Sequence, residues 1–157
     1  MKNIVLIGMP SCGKTTIGKR LAERLSMPFI DADEEIAKRE GRSIPEIFST
    51  DGEPYFRDVE SEVMKDVSQK ENVVISCGGG VVLREENVRF LQKKGIIIYI
   101  KRDVNQLSFD GRPLSKDVET LKKMEKVRTP LYEKYADFTI NNDKTVDSAA
   151  EDIMRVL

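Results

Sequence analysis

Apolar residues along this chain fall into five short runs, separated by longer stretches in which they recur every three or four positions. The runs are residues 4–7, 29–30, 73–75, 96–100 and 138–140. The fourth is apolar at every position, as expected of a parallel strand buried on both faces. Between the runs the spacing becomes helical. Ile17, Leu21 and Leu25 repeat every four residues, and Phe56, Val59, Val63 and Val67 form a second stripe. Pro54 is tolerable in the first turn of that second helix. Upstream, Ser43-Ile44-Pro45-Glu46 has the form of a capping box ahead of Ile47 and Phe48. Val146, Ala149, Ala150 and Ile153 stripe a last helix. Strands alternating with helices predict an α/β domain with a parallel sheet and helices on both faces. Residues 108–117, Ser-Phe-Asp-Gly-Arg-Pro-Leu-Ser-Lys-Asp, carry neither period; Gly111 and Pro113 break both, and the segment reads as a mobile loop.

Composition narrows the chemistry. A length of 157 residues suits one domain over residues 1–157, and no repeat or Pro/Ser linker divides it. Net charge is −1, so no overall field draws the chain to nucleic acid or an anionic membrane. No apolar run reaches membrane length, and residues 4–7 are too short for a signal-peptide core. The absence of histidine excludes histidine acid–base catalysis and histidine-ligated zinc. Cys12 and Cys77 form no CxxC pattern and read as reduced thiols. The expectation is a cytoplasmic monomer with no nucleic-acid or membrane partner.

The strongest chemical signal follows the first apolar run. Gly8-Met9-Pro10-Ser11-Cys12-Gly13-Lys14-Thr15 matches GxxxxGK[ST] between a strand and a helix, the context of a phosphate-binding loop. Gly8 and Gly13 let the chain wrap around an anion. Backbone N–H groups of residues 11–16 and the helix N-terminus then point at it, bringing Ser11, Cys12, Thr15 and Thr16 to ATP. Lys14 brings a full charge to the β- and γ-phosphates, and the Thr15 hydroxyl can ligate Mg²⁺. A GTPase switch would also need DxxG and NKxD motifs, and neither occurs.

Three weaker signals follow. Asp31 and Asp33 end the second run as DxD, and residues two apart on a strand face the same way. One carboxylate can serve Mg²⁺ while the other orients and deprotonates an acceptor hydroxyl; Asp33 fits equally as a cap on a helix starting at Glu34. Arg57 and Glu60 lie three apart on one helix turn, either an oriented guanidinium or a surface ion pair. Gly78-Gly79-Gly80 follows the third run and either exposes backbone N–H groups to a ligand or is a flexible strand exit.

In this order, and with Arg112-Pro113-Leu114 and Arg128-Thr129-Pro130-Leu131-Tyr132 behind them, these motifs resemble those of shikimate kinases over nearly the whole chain. The resemblance implies the three-layer, nucleoside-monophosphate-kinase-like P-loop fold, with a five-stranded parallel sheet of order 2-3-1-4-5. It implies transfer of the γ-phosphoryl of ATP, with Mg²⁺, to the 3-hydroxyl of shikimate. Acceptor contacts are implied for Asp33, Arg57, the glycines Gly78, Gly79 and Gly80, and Arg128, and an acceptor-binding region is expected at about residues 32–60. Lys14 and Asp33 are implied as catalytic, together with Arg112, which a lid at about residues 108–117 brings to ATP. The third run ends without an aspartate, which leaves Asp31 as metal partner of Thr15. Lys144, after the last run, is expected on the nucleotide side. The alternative is a P-loop kinase of another small hydroxylated metabolite, such as gluconate.

Overall fold

The computed structural model describes residues 2–103 and 118–157. The expected loop at 108–117, with Arg112, lies outside the described residues. The elements run β1 (Asn3–Ile7), α1 (Lys14–Leu25), β2 (Phe29–Asp31), α2 (Ala32–Glu40), α3 (Ile44–Val67) and β3 (Val74–Ser76). A short 3₁₀ turn (Val81–Leu83), α4 (Glu85–Gln92), β4 (Gly95–Lys101), α5 (Val118–Tyr135), β5 (Phe138–Asn141) and α6 (Val146–Val156) follow. All five apolar runs are strands, and they pair in parallel in the order β2-β3-β1-β4-β5. Every residue of β1 is buried, and Val5 sits in register with Ile75 on one side and Ile97 on the other. The chain steps from β1 to the far edge, returns through β3, and crosses to β4. The crevice at the carboxyl ends of β1, β3 and β4 is therefore the topological switch point, where ligands of open α/β sheets bind.

The helical stripes are buried as their periods require: Ile17 and Leu21 of α1, Phe56, Val59, Val63 and Val67 of α3, and Ala149, Ala150 and Ile153 of α6. Ser43 caps α3 in a full capping box with Glu46. The helix is not straight. Gly52 leaves helical geometry at φ 83° and ψ 173°, a backbone that an L side chain resists, and Pro54 follows two residues on. Proline cannot sit in an unbroken helix, because it lacks the N–H and clashes with the preceding turn. The break at Gly52 makes Pro54 a first-turn residue of the second half, which aims Arg57 and Glu60 at the crevice. Among the described residues no helix is long and apolar enough to cross a membrane.

One expected element differs. The DxD is not a strand pair: β2 stops at Asp31, whose side chain caps α2, and Asp33 lies in the first helical turn. Asp31, not Asp33, is the cap. The turn-forming bonds of an aspartate outcompete extension of a three-residue edge strand.

Candidate active site

The loop between β1 and α1 is closed by contacts that only glycine permits at two points. Gly8, at φ 151°, lies so near β4 that a Cβ would meet the Ile100 carbonyl oxygen at 2.5 Å. Gly13, at φ 101°, faces the Asn142 side chain, whose amide donates to the Cys12 carbonyl at 2.8 Å. Asn142, just past β5, thus pins the far side of the loop. The Lys14 ammonium is buried inside it and donates to the carbonyls of Gly8 (2.8 Å) and Met9 (2.9 Å). The Cys12 thiol points into the same interior, 3.6 Å from Lys14 Nζ, so Cys12 can offer a ligand only its backbone. Both cysteines are free and buried. Burial pushes the Cys77 thiol far above its usual value, so it stays protonated.

In front of the loop opens a cavity of about 420 Å³. Its floor is Ser11, Gly13, Lys14, Thr15 and Thr16; its far wall is Asp31, Asp33, Gly78 and Gly79. The Thr15 hydroxyl donates to Asp31 Oδ2 at 3.2 Å, while Asp31 Oδ1 accepts from the N–H groups of Asp33 (2.9 Å) and Glu34 (3.3 Å). Asp31 therefore divides its carboxylate, one oxygen capping α2 and the other turned to Thr15. This pair offers two hard oxygen donors to a cation. Among the described residues no cluster of three or more acidic or cysteine side chains adds to them. That donor set suits Mg²⁺, which completes an octahedron with water and phosphate oxygens.

The other end of the crevice holds two buried guanidiniums, Arg57 at 8% exposure and Arg128 at 5%. Arg57 Nη1 pairs with Glu60 Oε1 at 2.9 Å, and Glu60 is 1% exposed, so this is no surface ion pair. Glu53 takes Nε at 3.2 Å, and the guanidinium lies over the Phe56 ring at 5.1 Å. Burial pushes the Glu60 carboxyl up, and Arg57 opposes that shift. Burial also lowers Arg128, and the nearby Arg57 charge adds to the effect. Among the described residues no carboxylate lies within ion-pair distance of Arg128. A buried cation without a counter-charge is costly, so this one is arranged to receive an anion.

The glycine run separates these groups. A Cβ on Gly78 would stand 2.9 Å from Asp33 Oδ1 and 3.2 Å from Glu60 Oε2. On Gly79 it would meet Pro10 at 2.9 Å and Arg128 Nη1 at 3.1 Å; on Gly80 it would collide with the Arg57 guanidinium. Gly78 makes room for Asp33 and Glu60, Gly79 for Arg128 and Gly80 for Arg57. The run is a packing requirement rather than a flexible strand exit.

The structure thus gathers Lys14, Thr15, Asp31, Asp33, Gly78 and Gly79 around one cavity, with Arg57, Gly80 and Arg128 packed against its wall. Lys144 lies elsewhere, in a shallower groove between β5 and α6 that it shares with Asp152 and Arg155. Arg112 is outside the described residues. Two further residues border the site without having been assigned a role from the sequence. Arg102 lines the cavity directly after β4, and its place at the carboxyl end of a central strand was the available signal. Tyr132, fully buried, donates its hydroxyl to the Gly79 carbonyl at 2.5 Å, a contact across 53 positions that no local pattern reveals.

Comparison with known proteins agrees with this geometry. The family model described as shikimate kinase matches residues 10–157. A shikimate kinase of Caldicellulosiruptor bescii is 44% identical, over 99% of this chain and 95% of its own length. The structure of a shikimate kinase from Acinetobacter baumannii in complex with shikimate superposes with a TM-score of 0.95 at 33% identity, covering 99% of this chain and 92% of that one. A gluconokinase from Sinorhizobium meliloti reaches a TM-score of 0.62 at 17% identity, over 98% of this chain and 90% of that one, and shares the fold alone.

Proposed function

The chain belongs to the shikimate kinase family, and from that membership and the site geometry we propose that it transfers the γ-phosphoryl group of ATP to the 3-hydroxyl of shikimate. The observation that carries the acceptor assignment is the pair Arg57 and Arg128, buried beside a phosphate loop, with no carboxylate of the described residues within ion-pair distance of Arg128. Shikimate is a ring with one carboxylate and three hydroxyls, and that carboxylate is the missing counter-charge. Planar guanidinium forks match it in geometry.

The roles divide by position. Amides of residues 11–16 and the Lys14 ammonium hold the β- and γ-phosphates of ATP. Asp33, on the opposite wall, accepts the proton of the attacking hydroxyl. The hydroxyl oxygen forms its bond to the γ-phosphorus, the bond to the β-bridging oxygen breaks, and ADP leaves. Thr15 and Asp31 would hold Mg²⁺, which when bound neutralises phosphate charge. Residues of about 32–60 carry most of the acceptor side, with Arg128 reaching in from α5.

A coupled ADP-release assay over a panel of acceptors tests this reading. Release that depends on shikimate, with shikimate 3-phosphate as product, is expected. Release with gluconate but not shikimate would overturn it.

Two substitutions probe the clamp. Arg128→Lys keeps the charge and loses the fork, so the KM for shikimate should rise while that for ATP holds. The loss should be about 1–3 kcal/mol, as for a charged hydrogen bond left unmade. An unchanged shikimate KM would place Arg128 outside the site. Gly80→Ala should displace the Arg57 guanidinium and weaken shikimate binding by about tenfold or more, roughly 1.4 kcal/mol. Steady-state kinetics beside a melting curve separates that effect from loss of fold.

A further inference from the structure

The acceptor clamp rests on one buried hydroxyl. Tyr132 lies one helical turn after Arg128 on α5, on the same face. Its ring packs against Tyr99 of β4, with centroids 5.0 Å apart and planes tilted by 30°. Its hydroxyl donates to the Gly79 carbonyl at 2.5 Å, with Met9 Sδ of the phosphate loop at 4.0 Å, and Arg128 Nη1 stands 3.1 Å from the place a Gly79 Cβ would occupy. A phenol has one O–H and two lone pairs. The proton goes to Gly79, and the Arg128 guanidinium lies against the same glycine. Burial holds the phenol protonated, so the donor is present throughout the physiological range.

The peptide after Gly79 is trans, so its carbonyl and the N–H of Gly80 point in opposite directions. A hydroxyl that draws the Gly79 carbonyl toward α5 turns the Gly80 N–H the other way. The Gly79 peptide is thus packed between the Tyr132 hydroxyl and Arg128 Nη1.

We infer that Tyr132 is a positioning residue for acceptor recognition: its hydroxyl sets the Gly79–Gly80 peptide and the Arg128 guanidinium in the orientation that grips the carboxylate of the acceptor. The inference rests on the shikimate reading above.

Tyr132→Phe tests it, because it keeps the ring and its packing on Tyr99 and removes only the oxygen. The KM for shikimate should rise about tenfold, the effect of roughly one lost hydrogen bond. The KM for ATP and kcat should change less than about twofold. With the methyl ester of shikimate as acceptor, the variant and the unaltered protein should behave alike, since the clamp then has no carboxylate to hold. A shikimate KM equal to that of the unaltered protein would overturn the inference. So would an equal loss with acid and ester, which marks a merely structural role. A double-mutant cycle at reduced temperature, in the Arg128→Lys background, gives a second reading. There, adding Tyr132→Phe should raise the shikimate KM by clearly less than tenfold; a full further tenfold would overturn the inference. If the unaltered protein releases no ADP with shikimate, the acceptor reading itself fails. That outcome is distinct from an active protein whose Tyr132→Phe variant is unchanged.

Discussion

Replacing Lys14 by methionine is expected to cut turnover by about 10²–10³-fold or more, the range seen when one preorganised donor to developing charge is removed. Methionine matches the length of the lysine stem and lacks its charge, so packing is nearly preserved. The ammonium is buried inside the loop, where its field is poorly screened. Its hydrogen bonds to the carbonyls of Gly8 and Met9 hold it at the loop centre, where the β- and γ-phosphates belong. As the γ-phosphoryl group leaves, negative charge builds on the bridging oxygen, and a fixed cation stabilises that state more than the bound ground state. The loss should therefore appear in kcat and not only in the KM for ATP. Because the same ammonium braces the loop carbonyls, ATP should also bind more weakly. Single-turnover kinetics on a variant with an ordinary melting curve decides the matter; near-normal turnover would sink the phosphate-loop assignment.

Much of this was legible in the chain, for reasons that differ from residue to residue. The runs became strands because the central ones, in β1 and β4, are apolar on both faces, which a covered parallel sheet satisfies, while the edge runs in β2 and β5 are short and only partly covered. The phosphate loop was legible because its chemistry is local: two glycines, one lysine and one hydroxyl within eight positions. The start of α3 was legible for the same reason, as Ser43 and Glu46 satisfy each other. The order of the strands came from the resemblance to a family, not from periodicity.

What failed was register and depth. Three residues are too few for a period of two to declare itself, so β2 looked long enough to carry Asp33 when Asp31 had already turned the chain into α2. The spacing of Arg57 and Glu60 is identical in a surface pair and a buried one. The deciding signal was that Glu60 stands four after Phe56 and three before Val63, within the apolar stripe of α3. A carboxylate on a core face needs a cation, and Arg57 is the one within reach. Tyr132 meets Gly79 across the fold, a contact between α5 and the glycine run that leaves no trace in local pattern, whereas Arg102 was marked only by its place directly after β4.

The second large effect concerns Asp33. Asp33→Asn should leave nucleotide affinity within about twofold and lower phosphoryl transfer to shikimate by about 10²–10⁴-fold, the usual worth of a positioned general base. The two carboxylates are held differently. The cap of α2 uses the side chain of Asp31 and only the backbone N–H of Asp33, so the substitution spares the helix start. The bond between Thr15 and Asp31 is likewise untouched, so the donor set for Mg²⁺ persists. Loss of one negative charge in the first turn of α2 costs about 0.3–1 kcal/mol of helix-dipole stabilisation, too little to unfold the chain. What disappears is an anionic acceptor of protons on the wall facing Lys14, next to the place where Gly78 has no side chain. Asparagine can still donate to or accept from a shikimate hydroxyl, so the KM for shikimate should move far less than kcat. Titration of the variant with ADP and Mg²⁺, set beside its turnover, tells the roles apart. A parallel fall in ADP affinity would move Asp33 from the acceptor to the metal, and Asp31 would then be the better candidate for the base.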